Sequence, residues 1–174
     1  MTEVGETVPQ QGKVQLRVQK EPTDHPTPKD KRCLVTSLDV NGLEAVMLWD
    51  SGSTATAMSP AFADISKAIV SRLRNPVVLQ LGTVGSRAKI NFGTFSNINS
   101  EGFAGPEYFD VVNIDRYDII VGTPFMHRNK VILDFDKKCI VVNGKRMEGK
   151  VLDGDEADKI VRRYRLKKPE PPTP

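Results

Sequence analysis

Leu48-Trp49-Asp50-Ser51-Gly52-Ser53-Thr54 joins an apolar run to a single carboxylate, followed at once by small hydroxylated residues around a glycine. A carboxylate at the end of a buried strand is costly unless it is hydrogen-bonded. The residues after it are short donors on a loop able to turn sharply, which is a way to hold an acid for chemistry. The blander reading is a strand-end aspartate that caps a turn.

Upstream, Cys33-Leu34-Val35-Thr36-Ser37-Leu38-Asp39-Val40 is β-rich and Asn41-Gly42 is a strong hairpin turn. Leu43 to Trp49 runs back, so the second strand of a hairpin delivers Asp50. Downstream, Ser59 as N-cap and Pro60 at the first helical position predict a helix, with apolar spacing at Phe62, Ile65, Ile69 and Leu73. Val77 to Leu81 and Ala88 to Phe92 read as a second hairpin around Gly82-Thr83-Val84-Gly85-Ser86. Residues 97–106 are punctuated by Gly and Asn, and Tyr108 to Ile114 is a further strand.

Tyr117-Asp118-Ile119-Ile120-Val121-Gly122 is another apolar run ending in glycine, after which Thr123 as cap and Pro124 at the first position predict a short helix. Val131 to Phe135 and Cys139 to Val142 complete the strands, with Asn143-Gly144 as a turn. Ala157, Ile160, Val161 and Tyr164 have helical spacing, with acids before them and bases after, as an amphipathic helix prefers. The expected organisation is a disordered lead-in over 1–32, a folded domain over 33–151, and an amphipathic helix with a Pro-rich tail over 152–174. Within the lead-in, Val14, Leu16 and Val18 alternate and suggest a short edge strand.

The 39% hydrophobic and 27% charged composition suits a globular domain, and a net charge of +3 is too small to argue for nucleic acid. No apolar run is long enough for a membrane span, and the basic-then-apolar pattern of a signal peptide is missing. An intracellular, cytoplasmic protein is expected. Cys33 and Cys139 lie among β-branched residues without zinc-site spacing, so both are expected to be reduced core thiols. His25 and His127 read as surface residues. No metal and no cofactor is expected.

One carboxylate with no histidine or cysteine near it lacks a partner to protonate a leaving amine. Two carboxylates close together share one proton and supply both roles. There is one Asp-Ser-Gly and no internal repeat, so the second carboxylate would come from Asp50 of another copy on a twofold axis, the two titrating as one unit.

Asp50-Ser51-Gly52-Ser53-Thr54 resembles the Asp-Thr/Ser-Gly-Ser/Ala signature of aspartic proteases, and Ile119-Ile120-Val121-Gly122 resembles their second, hydrophobic-hydrophobic-Gly signature. Thr123-Pro124-Phe125-Met126-His127 extends the likeness to gypsy-type retrotransposon proteases within the retropepsin family, over roughly residues 33 to 142. The resemblance implies an all-β fold: a closed β-barrel protomer with one or two short helices, active as a symmetric homodimer. It implies that Asp50 is catalytic and that Ser51 bridges to the partner's loop. It further implies that Gly52 holds the carboxylate by its amide, that Ser53 bonds the outer carboxylate oxygen and that Thr54 finishes the loop. Ile120, Val121 and Gly122 would form the floor, and Gly82, Thr83, Val84, Gly85 and Ser86 the flap over a bound peptide, although an ordinary hairpin tip is the alternative there. Trp49 departs from the smaller aliphatic residue or phenylalanine usual at its place.

The implied function is an aspartic endopeptidase processing its own gag-pol-like polyprotein, in the cytoplasm or within a retrotransposon particle. Proline-rich segments on both sides of the domain suit a unit cut from a longer precursor. The alternative is a catalytically silent retropepsin-like module for dimerisation or peptide binding, in a degenerate or domesticated element. The implied partners are a second copy of the chain and a polypeptide substrate, with neither membrane nor nucleic acid.

Overall fold

The structure, a computed structural model, describes residues 14–26, 32–80, 87–147 and 151–165. The chain divides into two units, residues 1–31 and 32–174. In the first, residues 14–26 contain neither helix nor strand, and Val14, Leu16 and Val18 are each exposed. The edge strand expected from their alternation does not form, because alternation alone supplies no partner for the backbone N–H and C=O groups. The rest of the expected lead-in lies largely outside the described residues.

In the second unit, β1 (Val35–Val40) and β2 (Leu43–Trp49) form the predicted hairpin, paired from Val40↔Leu43 to Val35↔Leu48. Asn41 and Gly42 both have positive φ, 54° and 84°, the backbone that a two-residue turn needs to match strand twist. Next come β3 (Ala57–Met58), α1 (Pro60–Ile65), β4 (Val70–Gln80), β5 (Arg87–Ser100), β6 (Phe103–Val111) and β7 (Ile119–Val121). These seven strands make one sheet in the order β1-β2-β7-β3-β6-β5-β4, and β1 also pairs with β5 through Asp39↔Asn99 and Val40↔Ile98. α2 (Thr123–Arg128) leads to a second sheet of β8 (Ile132–Asp134), β9 (Cys139–Val142) and β10 (Lys145–Arg146). The strand-rich fold with few helices is as expected.

Three local expectations are corrected. α1 starts as predicted, with the Ser59 hydroxyl accepting from the Phe62 N–H at 3.1 Å, but it stops at Ile65 and does not reach Leu73. Lys67 turns left-handed (φ 56°), Ile69 is 84% exposed and Val70 already belongs to β4; β-branched residues after a left-handed turn favour the strand. Residues 97–106, punctuated by Gly and Asn, are strand on both sides of a two-residue turn: β5 runs on to Ser100 and turns at Glu101 and Gly102 into β6, since the ladder from Ser100↔Phe103 to Phe92↔Val111 outweighs the Gly and Asn content. α2 is capped by Gly122, with Thr123 inside the helix, one residue earlier than expected.

Met47, Met58, Phe62, Phe109, Ile119 and Ile140 are fully buried at the centre of the core. Trp49 joins them; its indole N–H donates to the Thr36 hydroxyl at 2.9 Å and its ring meets Phe125 edge-on at 6.0 Å. A large residue thus fills this place with its one polar atom satisfied. Cys139 is buried as expected, but Cys33, just before the first strand, is exposed. Behind α2, buried Glu107 of β6 pairs with Arg128.

α3 (Gly154–Arg165) packs Ala157 and Val161 against Val35 and Val46. Its start is capped reciprocally: the Asp153 carboxylate accepts from the Glu156 N–H at 2.8 Å, and Glu156 accepts from the Asp153 N–H at 3.4 Å. The bond from the Glu156 N–H holds the Asp153 carboxyl below the usual carboxylate range. A group with a lowered folded pKa stabilises above its unfolded pKa and loses that contribution as pH falls through the folded value. Docking of α3 is therefore expected to weaken as pH falls below the ordinary Asp range of about 3.9, and Asp153→Ala is expected to remove that pH dependence. Amide exchange across residues 154–162 against pH measures both; an unchanged profile in the variant would refute the capping role.

Candidate active site

The end of β2 is stitched to β7 by parallel pairing, Trp49↔Val121, and the Asp50 N–H continues it by donating to the Val121 C=O at 3.0 Å. Asp50 is half-buried at the head of a tight loop. Its Oδ1 accepts the Gly52 N–H at 2.9 Å, and its C=O accepts the Ser53 N–H at 3.1 Å. The side chain is thus pinned by its own loop.

Ser53 does not bond the carboxylate as expected. Its hydroxyl donates to the Ala55 C=O at 2.7 Å and accepts from the Ala55 N–H at 3.3 Å, the local backbone bonding that a short hydroxyl side chain offers to a turn. Ser51, Gly52 and Thr54 are exposed along the loop.

Gly122 lies directly against this loop. A Cβ there would stand 2.2 Å from the Ala55 oxygen and 2.7 Å from that of Ser53. The Thr123 N–H donates to the Ser53 C=O at 2.9 Å, and the Gly122 N–H donates to the Thr56 hydroxyl at 3.1 Å. Val121 is buried and Ile120 half-buried.

Two contributors were not singled out in the sequence. Thr56, buried between alanines, accepts the Gly122 amide; a hydroxyl flanked by two alanines was its signal. Buried Asp118 accepts the Val46 N–H at 2.9 Å, and its backbone bonds Val46 and Ser59. Its signal was an acid immediately before an apolar run.

Asp50, Gly52 and Ser53 open into a cleft of about 340 Å³. Leu79 and Ala88, opposite one another on β4 and β5, line it, as do Ile114 and Tyr117. The stem of the hairpin expected to carry the flap therefore borders the cleft, while Gly82, Thr83, Val84, Gly85 and Ser86 lie outside the described residues. Burial, together with the nearby Cys33 side chain, pushes the Tyr117 hydroxyl above its ordinary pKa. A larger hollow of about 490 Å³ near the β1–β2 turn is polar and more open, and the Asp50 loop takes no part in it. Among the described residues there is no cluster of three or more His, Cys, Asp or Glu able to hold a metal, and both histidines are exposed.

A carboxyl group held by an amide at the mouth of an apolar cleft can, when ionised, accept a proton from a water and, when protonated, donate to a carbonyl oxygen lying beside it. The family profile described as retroviral aspartyl protease matches residues 13–148. The crystal structure of the retroviral protease-like domain of Ddi1 from Leishmania major superposes with a TM-score of 0.56 at 17% identity, over 73% of this chain and 99% of that one. EIAV protease complexed with the inhibitor HBY-793 gives 0.42 at 20% identity, over 59% and 93%. No curated protein matches.

Proposed function

Because the chain belongs to the retroviral aspartyl protease family, we propose that it is an aspartic endopeptidase working as a symmetric homodimer of closed-barrel protomers, with one Asp50 from each copy. The observation that carries this reading is Asp50 itself: half-exposed, held by the Gly52 amide and open to an apolar cleft. The pairing of β1 with both β2 and β5 supports the barrel.

In this reading the ionised Asp50 takes a proton from a water lying between the pair while the protonated Asp50 donates to the substrate carbonyl oxygen. The water oxygen bonds to the carbonyl carbon, giving a neutral gem-diol. The carboxyl that took the proton then gives it to the amide nitrogen, the C–N bond breaks, and a diol proton returns to the other carboxylate. Acid and amine are released and the pair again holds one proton. Ser51 bridges the two loops across the axis and Thr54 completes the loop. Leu79, Ala88, Ile114 and Ile120 line the cleft, which suits apolar side chains beside the cut bond.

The substrate is the polyprotein of a gypsy-type retrotransposon, cut in the cytoplasm or within the element's particle; the likeness of residues 123–127 to that group supports this assignment.

Purified protein incubated with a peptide library is expected to cleave it, to be blocked by a hydroxyl-isostere inhibitor, and to lose specific activity on dilution as sedimentation shows the dimer dissociating. Cleavage by a protein that sediments as a monomer would overturn the shared site. Absence of cleavage by a proven dimer would favour the silent peptide-binding module.

A further inference from the structure

We propose that α3 is a positioning element of the substrate cleft: docked behind β2 and residues 112–118, it holds the wall against which the peptide lies. The kinetic part of this proposal rests on the endopeptidase reading above.

The wall is one side chain thick. Leu48 and Tyr117 line the Asp50 cleft and also pack on the apolar cluster that α3 makes with Val35 and Val46 through Ala157 and Val161. Ile114 and Tyr117 border the cleft on one side and, on the other, a small cavity of about 80 Å³ shared with Val161 and Phe62. The helix therefore packs on Leu48 and Tyr117, which also line the cleft.

Hydrogen bonds hold residues 112–118 at their two ends. The Val112 N–H donates to the Met58 C=O at 3.1 Å, and Asp118 bonds Val46 through backbone and carboxylate. Between them the backbone is not in a strand, and Arg116 has a φ of 71°, a conformation that a side-chain-bearing residue keeps only when its surroundings hold it. Apolar packing of Tyr117 on the α3 cluster supplies that hold. The helix is secured in turn by the Leu152 N–H on the Val35 C=O at 2.7 Å and by the Asp153–Glu156 cap.

Undocking α3 thus leaves Asp50, Gly122 and their bonds in place while loosening the wall, so that KM and kcat separate. In the full chain, Val161→Asp is expected to raise KM for a cleaved peptide about tenfold with kcat within about twofold. Hydrogen exchange is expected to quicken at residues 112–118 and 154–162 and to stay unchanged at Ile98 and Ile140, which lie in strands away from α3. Val161→Ile is expected to restore both readouts. If Val161→Asp does not fold, Asp153→Ala, at the exposed cap, serves in its place. Faster exchange in α3 with none at 112–118, or a fall in kcat at constant KM, overturns the proposal. If the wild type cleaves nothing, the endopeptidase reading fails, and exchange at 112–118 still decides whether α3 holds the wall.

Discussion

Asp50→Asn is expected to lower kcat/KM about 10,000-fold, the upper range for losing a general acid–base group, with little change in stability. The amide that replaces the carboxylate retains an oxygen for the Gly52 N–H, now 2.9 Å from Oδ1, and the loop stays tied to Val121 by backbone. What disappears is the ability to carry a proton to and from water. The dimer adds a second expectation. Mixed with excess Asp50→Asn chains, wild-type chains should lose activity beyond simple dilution, because each mixed dimer holds a single carboxylate. Cleavage assays on titrated mixtures measure this; activity that falls only in proportion to dilution would mean that one chain holds a whole site.

Gly122→Ala is expected to damage both stability and turnover. The new methyl carbon would fall 2.2 Å from the Ala55 oxygen, a backbone atom that cannot swing aside as a side chain can. Relief requires the Asp50 loop and the start of α2 to part, which breaks the Thr123–Ser53 bond of 2.9 Å and the Gly122–Thr56 bond of 3.1 Å. Overpacking of this kind costs about 3 kcal/mol, a large share of the 5–15 kcal/mol typical of a domain. In the molecules that remain folded, a displaced carboxylate is expected to lower kcat by about 100-fold. Urea unfolding and peptide kinetics test the two effects separately. Wild-type stability in this variant would show that the loop does not need the close approach.

Much of the Asp50 environment was legible because its determinants are local. Asn41-Gly42 specifies its turn by backbone conformation alone, and the two apolar runs ending at Asp50 and Gly122 mark the strands that pair in parallel. Ser59 and Pro60 announce the start of α1 for the same reason. Its end was misread because Ile69 and Leu73 satisfy helical spacing while the sheet recruits this stretch into β4. Residues 97–106 show the same conflict, with turn-forming composition overridden by a nine-rung ladder to β6. The partner of Ser53 could not be read, since its hydroxyl has both Ala55 and the carboxylate within the same short loop.

Residue type and order along the chain were enough to place a carboxylate after one strand and a glycine after another, because turns, caps and alternation act over a few neighbours. The roles of Thr56, Asp118 and α3 depend on which distant segments meet. Val46 and Asp118 are 72 residues apart, and Val161 and Tyr117, far apart along the chain, border one small cavity. Burial is a sum over such long-range neighbours, and it decides which polar groups need partners and which apolar faces are covered. No local pattern encodes that sum, and so the wall of the cleft came into view only with the packed fold.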